Sequence, residues 1–172
     1  MAETREKESA KETTFIDHVV QVRRVTKVTK GGKRFSFSAL VISGNQRGSI
    51  GIALGSSREV SLAIAKATTK ARKDMIEIPL RGTTIPYPVT GFHGSSKVIL
   101  RSAYKGTGII AGGAARAIMD ALGIKDVLAK SLGSSNRQNV AKATLNALAQ
   151  LRSAEHLARL RNTTVKDLVG KK

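Results

Sequence analysis

A pair of glycines set between two β-forming runs restricts the fold more than any other feature of the chain. Gly31-Gly32 can supply the two positive φ angles of a primed two-residue turn, so Val25 to Ala39 reads as a β-hairpin. Its tip is Lys30-Gly31-Gly32-Lys33-Arg34. This turn would set Lys30 opposite Lys33, and like charges facing across a ladder are destabilising, which suggests a polyanion that neutralises them. A merely solvated turn is the alternative. Arg23, Arg24, Lys27, Lys30, Lys33 and Arg34 stand in one stretch without an acid, and that favours a contact with RNA or DNA.

The rest of the charge agrees. The 172 residues carry a formal +18, and residues 1–14 hold four acids and three bases, leaving 27 basic and 8 acidic side chains in the other 158. The excess of positive charge therefore belongs to the folded part, where it costs self-repulsion unless something negative offsets it. Residues 1–14 read as a mobile tail outside the binding element. No apolar run is long enough to span a bilayer, and no long helix pairs a Lys/Arg face with Trp or Phe, so a membrane partner is not expected. The chain has no cysteine, which removes disulfides, Cys-ligated zinc and thiol catalysis and allows a reducing cytoplasm. Glutamates at 3, 6, 8 and 12 argue against a signal or transit peptide.

Hydrophobic periodicity predicts two α+β units. Alternation builds from Phe15 and slips at Arg23-Arg24, as a bulge would make it; Phe35 and Phe37 then share one face. That face is expected to be the core. A base-stacking aromatic strand is the alternative, which Ser36 and Ser38 fit poorly. Ile50, Ile52 and Leu54 form a third strand, and Ser56-Ser57-Arg58-Glu59 has capping-box spacing for a helix with Val60, Ile64, Ala67, Ala71 and Met75 inward. Lys66, Lys70 and Lys73 share another face of it, either as phosphate contacts or as a solvated stripe. The first unit is thus three antiparallel strands and a helix over 15–78. Prolines 79, 86 and 88 mark the break and confine any strand there to an edge. The second unit, 79–152, reads as strand 97–103, a Gly106-Thr107-Gly108 turn, a short run at 109–111, a helix opened by Gly112-Gly113, strand 124–132 and helix 139–151. Leu157, Leu160, Val165 and Leu168 give residues 153–172 an amphipathic character.

Signals for catalysis are weak. Gly106-x-Gly108-x-x-Ala111 with Asp126 downstream matches a relaxed dinucleotide fingerprint, but the helix starts too late and the charge would stay unexplained. Ser102-Ala103-Tyr104-Lys105 fits a Ser-x-x-Lys pattern without its companion motifs. His18, His93 and His156 are far apart with no acid at ligand spacing, so neither a metal nor another cofactor is expected. Gly112-Gly113 ahead of a helix, with Arg116 one turn in, would let a phosphate approach closely, or would serve only to let backbones pack.

Four blocks, in order, resemble the small ribosomal subunit protein five family of the bacterial type: Val28 to Ala39; Arg58-Glu59-Val60 with Ala63-Ile64-x-Lys66-Ala67; Gly106 to Ala117; and Gly133-Ser134-Ser135-Asn136-x-x-Asn139-Val140. The resemblance covers Phe15 to the C-terminus. It implies an N-terminal domain like the double-stranded-RNA-binding fold and a C-terminal mixed sheet with two helices and a left-handed strand-helix-strand crossover. It implies a non-enzymatic protein of the cytoplasmic small subunit, bound to ribosomal RNA near the decoding region and messenger entry path. Small-subunit proteins four and eight would be its neighbours, and the hairpin would lie near the spectinomycin site. Gly106, Thr107, Gly108 and Asn136, inside the matching blocks, join the basic residues as candidate RNA contacts. The chain departs from the family's pattern at Ala53 and Ser56, and at Tyr104-Lys105.

Overall fold

The computed structural model describes residues 15–169, so the N-terminal polar stretch lies outside it. β1 (Ile16–Thr29), β2 (Gly32–Gly44) and β3 (Ser49–Ser57) form an antiparallel sheet, and a short β4 (Ile76–Glu77) pairs with β3 at Ser49 and Ile50. The sheet therefore has four strands in the order β1-β2-β3-β4, one more than the periodicity predicts, because a two-residue strand carries no readable alternation. Helix α1 (Val60–Lys73) lies on one face.

A second sheet has the order β5-β6-β8-β7, from β5 (Val89–His93), β6 (Ser96–Ser102), β7 (Ile109–Ile110) and β8 (Val127–Gly133). β5 starts directly after Pro88 and is an edge strand, as a proline-flanked strand should be. β7 and β8 are parallel, and α2 (Gly113–Leu122) makes the crossover between them. α3 (Arg137–Ala149) packs on β5 and β6, and the chain ends in α4 (Ala154–Arg161) and α5 (Val165–Val169).

Several local expectations shift. β3 continues through Ser57, so Ser56 is a strand residue and caps nothing; α1 starts at Val60, with Glu59 at its N-cap and no side-chain cap bond. Its buried face is Ala63, Ala67 and Ala71. The bulge lies at Val20, between the pairs Val19↔Val41 and Gln21↔Leu40, three residues before the apparent slip. Arg137 covers it by donating to the Val20 carbonyl (3.2 Å). The last two elements of the second unit also move: strand 124–132 becomes Val127–Gly133, and helix 139–151 becomes Arg137–Ala149.

The second half of β2, from Ala39 on, is buried on both faces. Ala39 and Val41 meet Ala63 and Ala67 of α1, whereas Leu40 and Ile42 belong to a larger core with Ile118, Met119 and Leu122 of α2 and Leu148 of α3. Fully burying a side chain of this size contributes about 1.5–3 kcal/mol, so this shared core ties the two sheets together strongly. The β2–β3 connection is bonded to the end of α2, with Gln46 N donating to the Ala121 carbonyl (3.0 Å) and Gly48 N to that of Leu122 (3.2 Å). Gly44 is required at this junction, because a Cβ there would stand 2.2 Å from the Ala121 carbonyl oxygen.

Candidate nucleic-acid interface

β3 pairs with β2 only as far as Phe37↔Ser57. Beyond that pair β1 and β2 continue alone as a two-stranded ribbon, five residues further to Gly32, or about 17 Å at the usual rise of a strand. The register there differs from the glycine-pair expectation. Thr29↔Gly32 is the last pair, Lys30-Gly31 form the turn, and only Gly32 takes a positive φ, of 132°. The Thr29 hydroxyl donates to the Gly32 carbonyl (3.1 Å). Lys33 therefore faces Val28, and the like charges that face each other are Lys27 and Arg34.

Alternation along the ribbon sorts its bases. Arg23, Lys27 and Arg34 lie on one face, with Val25 and Ser36, whereas Arg24 and Lys33 lie on the other, with Thr26, Val28 and Phe35. All five of these bases are exposed, as are Lys30, Gly31 and Gly32. The Arg24 guanidinium lies 4.8 Å from the centroid of the Phe35 ring. The two phenylalanines divide: Phe37 packs on the Ala39, Val41, Ala63 and Ala67 cluster, and Phe35 stays 48% exposed.

The fold brings one remote candidate to the ribbon. Asn136 shares with Arg23, Ser38 and Leu54 a cavity of about 190 Å³. Its side-chain oxygen caps α3 by accepting from Gln138 N (3.1 Å), and its side-chain nitrogen makes no hydrogen bond among the described residues. Lys66, Lys70 and Lys73 are exposed on α1, apart from the ribbon's tip. The one ion pair among the described residues, Arg72 to Asp17 at 2.6 Å, leaves these three lysines without a carboxylate partner.

Gly112 and Gly113 open α2 into a cavity of about 450 Å³ that His18, Ser135 and Arg137 also line. A Cβ at either glycine would meet nothing within 4 Å, so no close backbone approach requires them. Arg116 is not in that cavity. It lines a neighbouring one of about 800 Å³ with Asp120 and Lys125, where it donates to the Ile109 carbonyl (3.1 Å).

The Gly106-Thr107-Gly108 turn is built differently. Asp126, 4% exposed, accepts from Gly106 N (2.9 Å) and Gly108 N (3.1 Å) through one oxygen and from the Thr83 hydroxyl (2.8 Å) through the other. Thr107 gives both its N–H and its hydroxyl to the Tyr104 carbonyl (3.1 and 2.8 Å). Every donor of the turn is committed inside the protein, so the turn offers no open amide cradle for a phosphate. The Thr83 hydroxyl, the two amides and nearby Lys105 hold the Asp126 carboxyl below its ordinary range, against the opposing effect of burial. The acid considered as a ribose ligand is thus a clamp. Ala53 is buried in β3, which leaves no phosphate loop at that departure from the family pattern either.

No sequence signal marks Arg137, and Tyr104 stands out in the sequence only by its place in the Ser-x-x-Lys window and as a departure from the family's pattern. Arg137 follows an N-cap asparagine, a position that places a long side chain at a helix mouth; Tyr104 is 93% exposed, and nothing in its neighbours foretells that. Among the described residues no three His, Cys, Asp or Glu are grouped to hold a metal, and no helix is long and apolar enough to cross a membrane.

Comparison with known families accords with this architecture. The family model described as ribosomal protein S5, N-terminal domain, matches residues 15–79, and that described as ribosomal protein S5, C-terminal domain, matches residues 91–161. Small ribosomal subunit protein uS5 of Pelagibacter ubique is 49% identical over 163 residues, 94% of this chain and 96% of that protein. The protein of the same name from Lawsonia intracellularis is 53% identical over 150 residues, 87% of this chain and 92% of that protein. With both domains matched and nearly the whole length aligned, the chain belongs to the ribosomal protein S5 family, structural constituents of the small ribosomal subunit.

Proposed function

We propose that the protein binds small-subunit ribosomal RNA near the decoding region and the messenger entry path, with the β1–β2 ribbon as its principal contact, and so supports subunit assembly and translational accuracy. The observation that carries this reading is the ribbon itself: six bases and no acid from Arg23 to Arg34, of which Lys27, Lys30, Lys33 and Arg34 lie beyond the last β2–β3 pair and Arg23 and Arg24 at its root. A two-stranded ribbon alone in water is marginally stable, and facing Lys27 with Arg34 makes it less so. A polyanion in contact with both faces offsets that cost. Duplex RNA keeps its base edges in a deep, narrow groove, so cations without a specific donor set read backbone and shape.

Lys66, Lys70 and Lys73, Asn136 beside Arg23, the Gly112-Gly113 mouth, and Arg116 in the neighbouring cavity extend the RNA surface over both units, whose boundary we place near Ile78. The Gly106-Thr107-Gly108 turn contributes shape and no amide donors. Proteins four and eight are the proposed neighbours, spectinomycin would bind near the ribbon's tip, and the chain acts as a scaffold without a substrate or cofactor. Sedimentation of a lysate tests the placement: the protein should travel with the small subunit, and finding it mainly elsewhere in cells making ribosomes normally would overturn it. In filter binding, Lys30→Ala, Lys33→Ala and Arg34→Ala combined should weaken binding to ribosomal RNA and flatten its salt dependence. Unchanged binding would make the tip a solubility feature.

A further inference from the structure

Phe35 is an aromatic ring held out of the core by its register. Phe37, two residues on, takes the apolar site over α1; Phe35 lies past the last β2–β3 pair, with β1 as its only paired strand. Its neighbours across the ribbon are Thr26 directly opposite and Arg24 on the diagonal, and the Arg24 guanidinium sits over the ring at 4.8 Å. Val28, 71% exposed, and Lys33 complete this face. The other face of the ribbon carries Arg23, Lys27 and Arg34 but no aromatic side chain. One face is thus suited to phosphates alone, and the other combines cations with an exposed π surface.

We propose that Phe35 and Arg24 form a stacking site for an unpaired nucleobase of the RNA engaged by the ribbon's cations, an inference that rests on the RNA-binding reading above. A base is the occupant the surroundings favour. The ring stands in a field of six positive charges with no carboxylate, which attracts a polyanion and repels the basic surfaces of other RNA-binding proteins. Every base has a π face, and a guanidinium next to a ring extends the stack by cation–π attraction. Paired bases are stacked on their neighbours, so the base must come from a loop, bulge or junction. Lys33 on the same face is placed to reach the adjoining phosphate.

The test uses the full-length protein, with full-length small-subunit ribosomal RNA transcript as the probe, in filter binding across a potassium chloride series. Phe35→Leu keeps apolar bulk and removes the π face; Phe35→Tyr keeps both. Losing one stacked base should weaken Phe35→Leu about tenfold at every salt concentration with the salt slope unchanged, while Phe35→Tyr stays within about twofold of the parent. Parental affinity in Phe35→Leu overturns the proposal, and so does an equal loss in both variants, which would assign the ring a purely structural role. A loss accompanied by a shallower slope also overturns it, because the ring would then act by positioning the cations. If the parent protein itself shows no steep salt slope, the RNA-binding reading of the ribbon fails and the stacking site falls with it. Thermal melting followed by circular dichroism, expected to coincide for all three proteins, shows that the comparison is made on folded chains.

Discussion

Two glycine turns flanked by lysine, Lys30-Gly31-Gly32 and Lys105-Gly106-Thr107-Gly108, look alike in sequence and differ in who owns their hydrogen-bond donors. At the second, Asp126 takes the amides of Gly106 and Gly108, and the Tyr104 carbonyl takes both donors of Thr107. At the first, among the described residues, no carboxylate bonds to the tip, and its one side-chain bond runs from the Thr29 hydroxyl to a carbonyl. The first turn is held only by its own ladder and is open to an external anion; the second is pinned from beneath by an internal one. A glycine-rich basic turn is therefore a phosphate site only where no acid of the chain itself has already filled that role.

The largest expected effect breaks the likeness directly. Replacing Lys30, Lys33 and Arg34 together by Ala should lower affinity for ribosomal RNA roughly a hundredfold or more at about 0.1 M salt and make the log–log salt slope shallower by about three units. Lys105→Ala should leave the slope within about half a unit of the parent in the same measurement. Equal slopes for the two variants would put the open turn and the pinned turn back in one class.

Stability should show the opposite order. Asp126→Ala strands two backbone amides and the Thr83 hydroxyl in a half-buried setting, where donors left unpaired cost more than their bonds contribute. Its urea midpoint should fall further than that of any single charge variant at the tip, since exposed turn charges contribute within about 0.5 kcal/mol. An unshifted midpoint would mean that water replaces the carboxylate at no cost.

Gly31 and Gly32 sharpen the comparison within the open turn. Neither would bring a Cβ within 4 Å of another atom, but Gly32 alone has φ in the left-handed half, at 132°. Gly32→Val should cost on the order of 1–3 kcal/mol of local strain and misplace Lys33 and Arg34, whereas Gly31→Val should be nearly neutral. Amide exchange along β1 and β2, read beside RNA affinity, separates the two. Equal effects would restore the symmetric two-glycine turn that the sequence suggests.

That one-residue difference illustrates what was legible. The mixed second sheet was implied only by the family resemblance, whereas the hairpin and the helix opened by Gly112-Gly113 follow from periodicity and from turn residues, which act locally. So does the split of charge that leaves all the positive excess beyond residue 14. Turn register, the position of the bulge and the fate of Phe35 depend on where β3 stops pairing, a long-range fact that no window around residue 35 contains. The Asp126 clamp was visible only as an acid 18 residues after Gly108, a spacing that also suits a ribose ligand; only tertiary contact distinguishes the two. Lys66, Lys70 and Lys73 lie on one face as helical spacing requires, but a free lysine and a bound one have the same sequence.

The smallest effect is a pH dependence that should exist at one turn and be missing at the other. The Asp126 carboxyl is held below its ordinary value of 3.8, chiefly by the Thr83 hydroxyl and the Gly108 amide. Because the folded value is the lower one, the carboxylate's stabilisation is fully present above the unfolded value and is lost as pH falls through the folded value. Between pH 7 and 5 it should therefore contribute a constant amount, and the melting temperature should fall only as pH drops below about 4, with the parent losing more than Asp126→Asn, which has no charge to lose. The tip makes no hydrogen bond to Asp126, so the ribbon should keep its amide-exchange pattern whatever the state of the clamp. An Asp126→Asn variant with the same acid sensitivity as the parent would show that other carboxyls set the acid limit, and that the pinned turn owes its order to its hydrogen bonds and not to its charge.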